Sequence, residues 1–282
     1  MRVVSLLPAA TEIVAAIGGA GLLVGVSHEC DYPPTVQNLP RVTRTRIDPQ
    51  LPAREIDRQM AEAKRTGTEP IEVDFATLAR LRPDVLIGQS VCNVCAVGEG
   101  ELARVVPGLH PTPWVVTLHP HVLDDVLSDI VQLGEALALQ DEAQELVAGL
   151  RHRVRRLAAQ LAPPVRPRVL VLEWLDPPYV AGHWVPEIVA LAGGEDVGNT
   201  PAAPSVPRSW QELADRAPDV VVIALCGFDV DRARREHAAV TDPDARAVLG
   251  RRQEFIDGNA YTSRPGPRLV DAAEHLARLL HG

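Results

Sequence analysis

The sequence is poor in positive charge and almost devoid of lysine. Its 282 residues include 28 basic and 37 acidic side chains, the formal net charge is −9, and Lys64 is the only lysine. A protein that binds nucleic acid usually presents an excess of basic side chains on one face. The composition therefore argues against a nucleic-acid partner.

Long apolar runs and an export signal are also missing from the sequence. No run approaches the ~20 apolar residues of a membrane-spanning helix, and Met1 and Arg2 lead straight into the strand-like run VVSLLP. Because no signal-peptide pattern comes first, we expect a cytoplasmic protein without a membrane span. In that reducing compartment the few cysteines would be thiols, metal ligands or redox groups, not disulfides. They are Cys30, Cys92, Cys95 and Cys226.

Three common catalytic or nucleotide-binding motifs do not occur. The chain has no Gly-rich loop ending in Lys-Ser or Lys-Thr, no G-x-G-x-x-G after a strand and no G-x-S-x-G. Phosphate cradles and nucleophile elbows depend on these motifs. The sequence thus gives no reason to assign a nucleotide cofactor, and whether any reaction is catalysed stays open.

What the sequence does contain is a regular alternation of strand-like and helix-like segments. Hydrophobic residues make up 46% of the chain, enough for a packed core. The strand-like runs are RVVSL, LLVGV, IEV, DVLIG and WVVTL in the first half, and RVLVL, DVVVIAL and EFIDG in the second. Strands that alternate with amphipathic helices predict a parallel sheet covered by helices.

A long helical stretch separates the two halves. Apolar residues recur at helical spacing from about Val122 to Leu161, and the segment APPVRP then ends the pattern. We therefore predict an α/β fold with two Rossmann-like βα lobes joined by a long α-helix. The predicted boundaries are 1–121 for the first lobe, 122–166 for the linking helical segment and 167–282 for the second lobe.

Residues whose side chains could bind a ligand or take part in chemistry lie just after the predicted strands. In open α/β sheets ligands bind beyond the carboxyl ends of the strands, because the loops there meet at one edge. The residues at these positions, in chain order, are His28, Glu29, Cys30, Gln89, Cys92, Asn93, Cys95, His119, His121, Glu173, Trp174, Asp176, Cys226, Gly227, Phe228, Asn259, Tyr261 and Arg264.

The cysteines allow more than one interpretation. The spacing of Cys92 and Cys95 brings both sulfurs within reach of one metal ion or one disulfide. Cys226 lies in an apolar run and is more typical of a small buried side chain. His28 could simply form hydrogen bonds within a turn. Trp174 and Trp184 would ordinarily be core residues, but both flank the Pro- and Gly-containing segment DPPYVAGHW. Aromatic side chains on such loops usually face a ligand or a partner.

Four segments resemble one known family. SLLPAATEIVAAIGGAGLLVGVSHECDYP is similar to the opening of the cobalamin-binding, substrate-binding proteins of ABC importers, and LEWLDPPYVAGHWVPEIVALAGGEDV resembles the start of their second lobe. SWQELADRAPDVVVIALCGFD and SRPGPRLVDAAEHLARLL are similar to a later helix-strand unit and the final helix. The resemblance covers nearly the whole chain, and it implies two α/β lobes with a ligand cleft between them. Siderophore and haem binders share this architecture.

The sequence departs from the family in ways that affect function. Family members are exported, and they dock on a permease through one carboxylate on each lobe. At the corresponding positions this chain has Ala76 and Gln211, with Glu212 beside the latter, and LPAREIDRQMAEAKRTG resembles an added helix. We therefore expect a cytoplasmic binding protein for cobalamin or a related corrinoid or tetrapyrrole that is not coupled to a permease. The alternatives are a metalloprotein or enzyme that reuses the fold, and an importer substrate-binding subunit.

The expected ligand site joins residues from both halves. We predict that His28, Glu29 and Cys30 face Glu173, Trp174, His183 and Trp184, with Cys92 and Cys95 beside them, and that an imidazole or a thiolate approaches the metal of the ligand. In the metalloprotein alternative, Cys30, Cys92, Cys95 and His28 or Cys226 hold zinc or an iron-sulfur cluster. The full predicted set is His28, Glu29, Cys30, Gln89, Cys92, Cys95, Glu173, Trp174, His183, Trp184, Cys226, Phe228, Tyr261 and Arg264.

Overall fold

The chain folds into two α/β units. The computed structural model describes residues 1–90, 97, 99–161 and 165–282. Unit 1 comprises Met1–Leu51, Arg58–Pro120 and Asp124–Ala148, and unit 2 comprises Pro52–Asp57, His121–Leu123 and Gly149–Gly282. The prediction of two α/β lobes is thereby confirmed.

The first half of the chain contains a four-stranded parallel sheet. The strands in this half are β1 (Val3–Ser5), β2 (Leu23–Val26), β3 (Thr43–Thr45), β4 (Ile71–Val73), β5 (Val85–Gln89) and β6 (Trp114–Leu118), of which β1, β2, β5 and β6 form the sheet. Its helices are α1 (Pro8–Ala16), α2 (Ala53–Thr66), α3 (Phe75–Leu81), α4 (Glu99–Val105), α5 (Leu123–Leu137) and α6 (Gln140–Gln160). The sheet order is β2-β1-β5-β6, and every neighbouring pair is parallel.

The sequence explains why β1 and β5 lie at the centre of this sheet. Every residue of both strands is buried, as expected for parallel strands that helices cover on both faces. Pro8 begins α1 directly after β1, where its missing N–H costs nothing because that group has no helical partner. The carboxyl ends of β1, β2, β5 and β6 therefore lie along one edge of the sheet.

Strand β4, the predicted run IEV, does not join this sheet. It pairs antiparallel with β3 in a separate two-stranded sheet, in which Thr43 lies opposite Val73. Residues 41–45 have no clear alternation of apolar and polar side chains, so no local pattern predicts β3. Because β3 is not predicted, the run IEV is predicted as one more strand of the parallel sheet.

The helical stretch between the halves consists of two helices. Helix α5 ends at Leu137, Ala138 adopts a left-handed conformation with φ 56°, and Leu139 donates its N–H to the carbonyl of Gly134 at 2.8 Å. This left-handed residue closes α5 as a C-terminal cap does. The change from unit 1 to unit 2 then falls inside α6, between Ala148 and Gly149.

Unit 2 is built on a mixed six-stranded sheet. Its strands are β7 (Arg168–Leu175), β8 (Pro178–Val180), β9 (Glu195–Asp196), β10 (Val206–Pro207), β11 (Val220–Ile223) and β12 (Arg252–Phe255). Its later helices are α7 (Val185–Leu191), α8 (Trp210–Asp215), α9 (Val230–Ala239), α10 (Arg246–Leu249), α11 (Gly258–Tyr261) and α12 (Arg268–His281). The order is β10-β8-β7-β11-β12. Strand β9 pairs with the start of β7, and β7, β11 and β12 are mutually parallel.

The first turn of α2 belongs to unit 2. Ala53 is buried in its core beside Leu175 and Phe228, and its backbone N–H donates to Glu236 of α9 at 3.1 Å. Arg54 forms an ion pair with Asp176 at 3.1 Å. The segment expected to be an added helix is therefore a helix, and it packs close to the carboxyl end of β7. None of the helices in the described ranges is both long and apolar enough to span a bilayer.

Candidate functional site

His28 lies where β2 ends and is held by Thr43 of β3. The hydroxyl of Thr43 accepts the backbone N–H of His28 at 2.9 Å and lies 2.7 Å from ring atom Nδ1. Burial, and then the charge of Arg41, lowers the pKa of His28, so the ring is neutral near pH 7. Glu29, the next residue, is exposed. The predicted site residue His28 is thus positioned by a strand that the sequence did not reveal.

Cys30 points into the core of unit 1. Its side chain is 1% exposed, and Sγ lies 3.1 Å from Oγ1 of Thr11. Ser5 donates to the carbonyl of Leu7, and Thr11 donates to Ser5 at 2.9 Å. Because the Thr11 proton is used in that chain, the thiol of Cys30 is the donor to Thr11. Cys30 is therefore a buried thiol that contacts Thr11.

A second polar group lies at the ends of β5 and β6. Gln89 is buried at 6% exposure, and the hydroxyl of Ser90 contacts Nδ1 of His119. Asp129 of α5 accepts the backbone N–H of His119, yet burial raises the pKa of this carboxyl to about 7. Its Oδ2 has no hydrogen-bond partner among the described residues. The edge of unit 1 thus carries a carboxyl that changes charge near neutral pH.

Aromatic side chains meet at the carboxyl edge of unit 2. The rings of Trp174 and Phe228 are 5.1 Å apart, and the guanidinium of Arg232 lies 3.7 Å over Phe228. Within the part of the chain that the structure describes, the buried indole N–H of Trp174 has no hydrogen-bond partner. A buried donor without an acceptor is uncommon and calls for an explanation such as a missing ligand or water.

Glu173 of β7 and Cys226, three residues beyond the end of β11, are neighbours in unit 2. The hydroxyl of Ser205 donates to Oε1 of Glu173 and also contacts the carbonyl of Val180 at 3.0 Å. The backbone N–H of Cys226 donates to the carbonyl of Glu173 at 3.0 Å. The side chain of Cys226 is half-buried. The structure therefore brings together two predicted residues that are 53 positions apart in the sequence.

His183 and Trp184 form a second aromatic group in unit 2. The rings of His183 and Trp184 stack at 5.5 Å, and the ring of His121 lies 5.8 Å from that of His183. Trp184 is 7% exposed and donates its indole N–H to the carbonyl of Thr262 at 2.8 Å. Burial, followed by the charge of His121, lowers the pKa of His183. The side chain of Trp184 is thus mostly a core contact, whereas His183 is only half-buried.

The last two predicted residues lie beyond β12. Arg264 is 5% exposed and donates to Oδ1 of Asn259 at 2.7 Å. Tyr261 stacks on His275 of α12, with 5.9 Å between ring centroids. Both side chains are therefore held by residues of unit 2.

The predicted metal ligands do not form a cluster in the described part of the chain. No group of three or more His, Cys, Asp or Glu side chains there is arranged to hold a metal ion. Cys30 donates to Thr11, and Cys92 and Cys95 lie outside the described residues. The zinc and iron-sulfur alternatives therefore have no support from the described geometry.

The structure joins the predicted residues within each unit. His28 and Cys30 belong to unit 1, and Trp174, Phe228, Glu173, Cys226, His183 and Trp184 belong to unit 2. The predicted opposition of the two sets stays a prediction. Sequence reasoning did not identify Thr11, Thr43 and Ser205, which hold these residues, because isolated hydroxyl side chains carry no distinguishing pattern.

Two α/β units with polar and aromatic side chains at the carboxyl edges of parallel strands define a class of two-lobed binding protein. A family model described as periplasmic binding protein matches residues 3–249. The chain belongs to this family.

Individual relatives are distant but cover nearly the whole chain. The vitamin B12-binding protein of Vibrio cholerae is 25% identical over 285 aligned positions, which cover 99% of this chain and 88% of the relative. The vitamin B12-binding protein of Yersinia pestis is 24% identical, with 82% and 71% coverage.

Solved structures share the fold. The periplasmic vitamin B12 binding protein of Vibrio cholerae has a TM-score of 0.70 at 23% identity, covering 99% of this chain and 96% of the other. A periplasmic heme binding protein from Pseudomonas aeruginosa has a TM-score of 0.75 at 24% identity, with 99% and 92% coverage. At this level of identity the structures establish the fold.

Membership of the family corrects one expectation. The prediction of a cytoplasmic protein is wrong, because the matching family is that of periplasmic binding proteins and the relatives with solved structures are described as periplasmic. The expectation that the protein works without a permease also loses its support. Both expectations rested on missing sequence features, whereas the family match rests on residues that are present.

Proposed function

We propose that this protein is the substrate-binding subunit of an ABC importer and that its cargo is a corrinoid or a closely related tetrapyrrole. The observation that carries the proposal is the alignment with vitamin B12-binding proteins over 99% of the chain. The third hypothesis from the sequence, an importer subunit, is therefore the one we adopt. Cobalamin is preferred over haem because the curated relatives bind vitamin B12.

The carboxyl edge of unit 2 has the chemistry that such a cargo needs. A corrinoid is a large ring with apolar faces and amide groups around its rim. Trp174 and Phe228 provide apolar, aromatic surface, and Arg232 lies beside them. Binding sites for large ligands are typically apolar with a few placed polar groups. The unpartnered indole N–H of Trp174 is a donor suited to an amide carbonyl on the rim.

Titration with cyanocobalamin, followed by calorimetry and by tryptophan fluorescence, tests this proposal. We expect one cyanocobalamin to bind per chain. The Trp174→Phe variant keeps the aromatic contact but removes the N–H, and we expect it to weaken binding by about tenfold, as the loss of one buried hydrogen bond does. Trp114→Phe is the matched control, because Trp114 is 58% exposed at the amino end of β6.

Haemin is titrated in parallel to identify the class of macrocycle. Tight binding of haemin without cyanocobalamin binding would replace the corrinoid with a haem-type cargo. If neither macrocycle binds to protein that is folded by circular dichroism, the proposed function is wrong. Equal loss of affinity in Trp174→Phe and Trp114→Phe would remove the assigned role of Trp174.

A further inference from the structure

His183 occupies a backbone conformation that histidine adopts only at a cost. Its φ is 54°, in the left-handed region, where side chains other than those of glycine and a few polar residues are uncommon. Its backbone N–H donates to the carbonyl of Ala203 at 2.7 Å, and its carbonyl accepts the N–H of Ala202 at 3.0 Å. These bonds fix the residue in place.

Gly182 contributes to the same constraint. A Cβ at Gly182 would lie 2.4 Å from the backbone nitrogen of Ser205, so the chain passes too close for any larger residue. The tight turn therefore requires glycine at 182, while the left-handed position itself is filled by histidine. Strained residues held by their surroundings are found preferentially at functional sites.

The ring of His183 is held in position without using its nitrogens. It lies between the rings of His121 and Trp184, at 5.8 Å and 5.5 Å. Neither ring nitrogen has a hydrogen bond to another residue in the described ranges, although the side chain is only half-exposed. Burial keeps the imidazole neutral near pH 7, and neutral imidazole is the form that binds metals.

One positioned imidazole is insufficient for a bare metal ion but sufficient for a metal inside a macrocycle. A structural or catalytic site for a free ion takes three or four protein ligands, and no such group occurs among the described residues. A corrinoid or tetrapyrrole supplies the four equatorial nitrogens itself. Only an axial position then remains for the protein, as in proteins where a histidine holds haem iron.

We propose that His183 is an axial ligand for the metal centre of the cargo, selecting macrocycles whose axial position can exchange. The inference rests on the proposed function. With hydroxocobalamin in its protonated form, in which water is bound to cobalt, the lone pair of a His183 ring nitrogen forms the bond to cobalt, and the water leaves with its own electron pair, so no redox change is needed. Cyanocobalamin, whose cyanide does not exchange with imidazole, binds through its other contacts alone.

The test compares hydroxocobalamin with cyanocobalamin. In the intact protein we expect a change in the visible spectrum on binding hydroxocobalamin and none with cyanocobalamin. We also expect at least about tenfold tighter binding of hydroxocobalamin, as one added bond provides. His183→Gly should abolish the spectral change and equalise the two affinities. Added imidazole should restore the spectral change in this variant.

The choice of glycine separates ligation from a structural role. Glycine adopts a positive φ without strain, so His183→Gly is expected to fold and to retain cyanocobalamin binding. His152→Ala, an exposed histidine on α6, is the matched control and should behave as the intact protein does. A parallel haemin titration shows whether the same ligation occurs with iron.

The outcomes distinguish the two proposals. Binding of both cobalamins with equal affinity and no spectral change overturns the axial role of His183 and leaves the proposed function standing. Loss of the spectral change in His28→Ala but not in His183→Gly also overturns it and assigns ligation to His28. If neither the cobalamins nor haemin bind, the proposed function fails, and this inference fails with it.

Discussion

Asp129 is a buried carboxyl of unit 1 whose charge changes near neutral pH. It is 7% exposed in α5, and burial raises its pKa to about 7 from 3.8. The folded state therefore keeps a proton that the unfolded chain loses above about pH 4. The free energy of unfolding should fall by at most about 4 kcal/mol as the pH rises from about 4 to 7. Above about pH 7 it should stay level.

Asp129→Asn should remove this pH dependence. The amide keeps an acceptor for the backbone N–H of His119 but carries no charge. We expect the urea-unfolding midpoint of the variant, relative to that of the intact protein, to rise between pH 5 and pH 8. Glu135→Gln, an exposed carboxylate on the same helix, should show no such gain. Parallel pH profiles for Asp129→Asn and the intact protein would contradict the assignment.

At the scale of single residues the sequence predicted chemistry better than orientation. The run SHEC suggested a group of ligands at the end of β2. In the structure His28 is held by Thr43, whereas Cys30 turns inward to Thr11. His28 and Cys30 are only two positions apart, but the backbone bends in the turn after Val26, so their side chains point in different directions. No local pattern indicates which side chain the turn will bury.

Gly134 of α5 packs tightly against Ala143 of α6. A Cβ at Gly134 would lie 2.4 Å from the Cβ of Ala143 and 3.0 Å from the carbonyl of Leu139. Gly134→Ala should therefore destabilise unit 1 by about 1–3 kcal/mol, as overpacking does. Thermal unfolding of the purified variant measures this cost.

Gly149 is the matched control in α6. Nothing lies within 4 Å of a Cβ at this exposed helical position. Gly149→Ala should stabilise the helix by up to about 1 kcal/mol, because alanine has the higher helix propensity. If both variants shift the unfolding temperature in the same direction, the close approach of the two helices is not what constrains Gly134.

At the scale of elements, periodicity identified the long helices and the buried parallel strands. Helices α2, α5, α6 and α12 and strands β1, β5, β7 and β11 follow from apolar spacing. The strands β3, β8 and β10 do not, because they have two or three residues each and are specified by their partners. Pairing over a distance in sequence, as between Thr43 and Val73, is invisible in a local pattern.

At the scale of the whole molecule, the proposed importer subunit should dock on its permease through charged groups on both units. Asp74 caps α3 and Glu212 completes the capping box of α8. Hydrogen bonds from Thr77 and from Ser209, respectively, lower the pKa of these carboxyls, so both are ionised at neutral pH. Ala76 itself lacks a carboxylate, but Asp74 lies two residues away.

We expect charge removal at these two positions to weaken docking. Asp74→Asn and Glu212→Gln keep one oxygen that can accept the capping backbone N–H and remove the charge, so affinity for the permease of the same organism should fall several-fold and become less sensitive to salt. Surface plasmon resonance on permease in lipid nanodiscs measures this. Glu145→Gln on exposed α6 is the control. Unchanged affinity in the double variant would exclude these carboxylates from the docking surface.

The whole-chain pattern predicted the architecture correctly and the location incorrectly. Two α/β lobes follow from the alternation of strands and helices. Because burial determines the apolar pattern of each strand and helix, that alternation can be seen along the whole sequence. Cellular location is not a property of the folded core. The inference of a cytoplasmic protein came from the residues before VVSLLP, and the family match overturns it.

The near absence of lysine makes this protein unusually easy to attach in one orientation. Lys64 lies exposed in the last turn of α2 and carries the only side-chain amine in the sequence. Apart from the α-amino group, an amine-reactive sensor surface or fluorophore can acylate only this position. Immobilised molecules would then be tethered at one known position in α2.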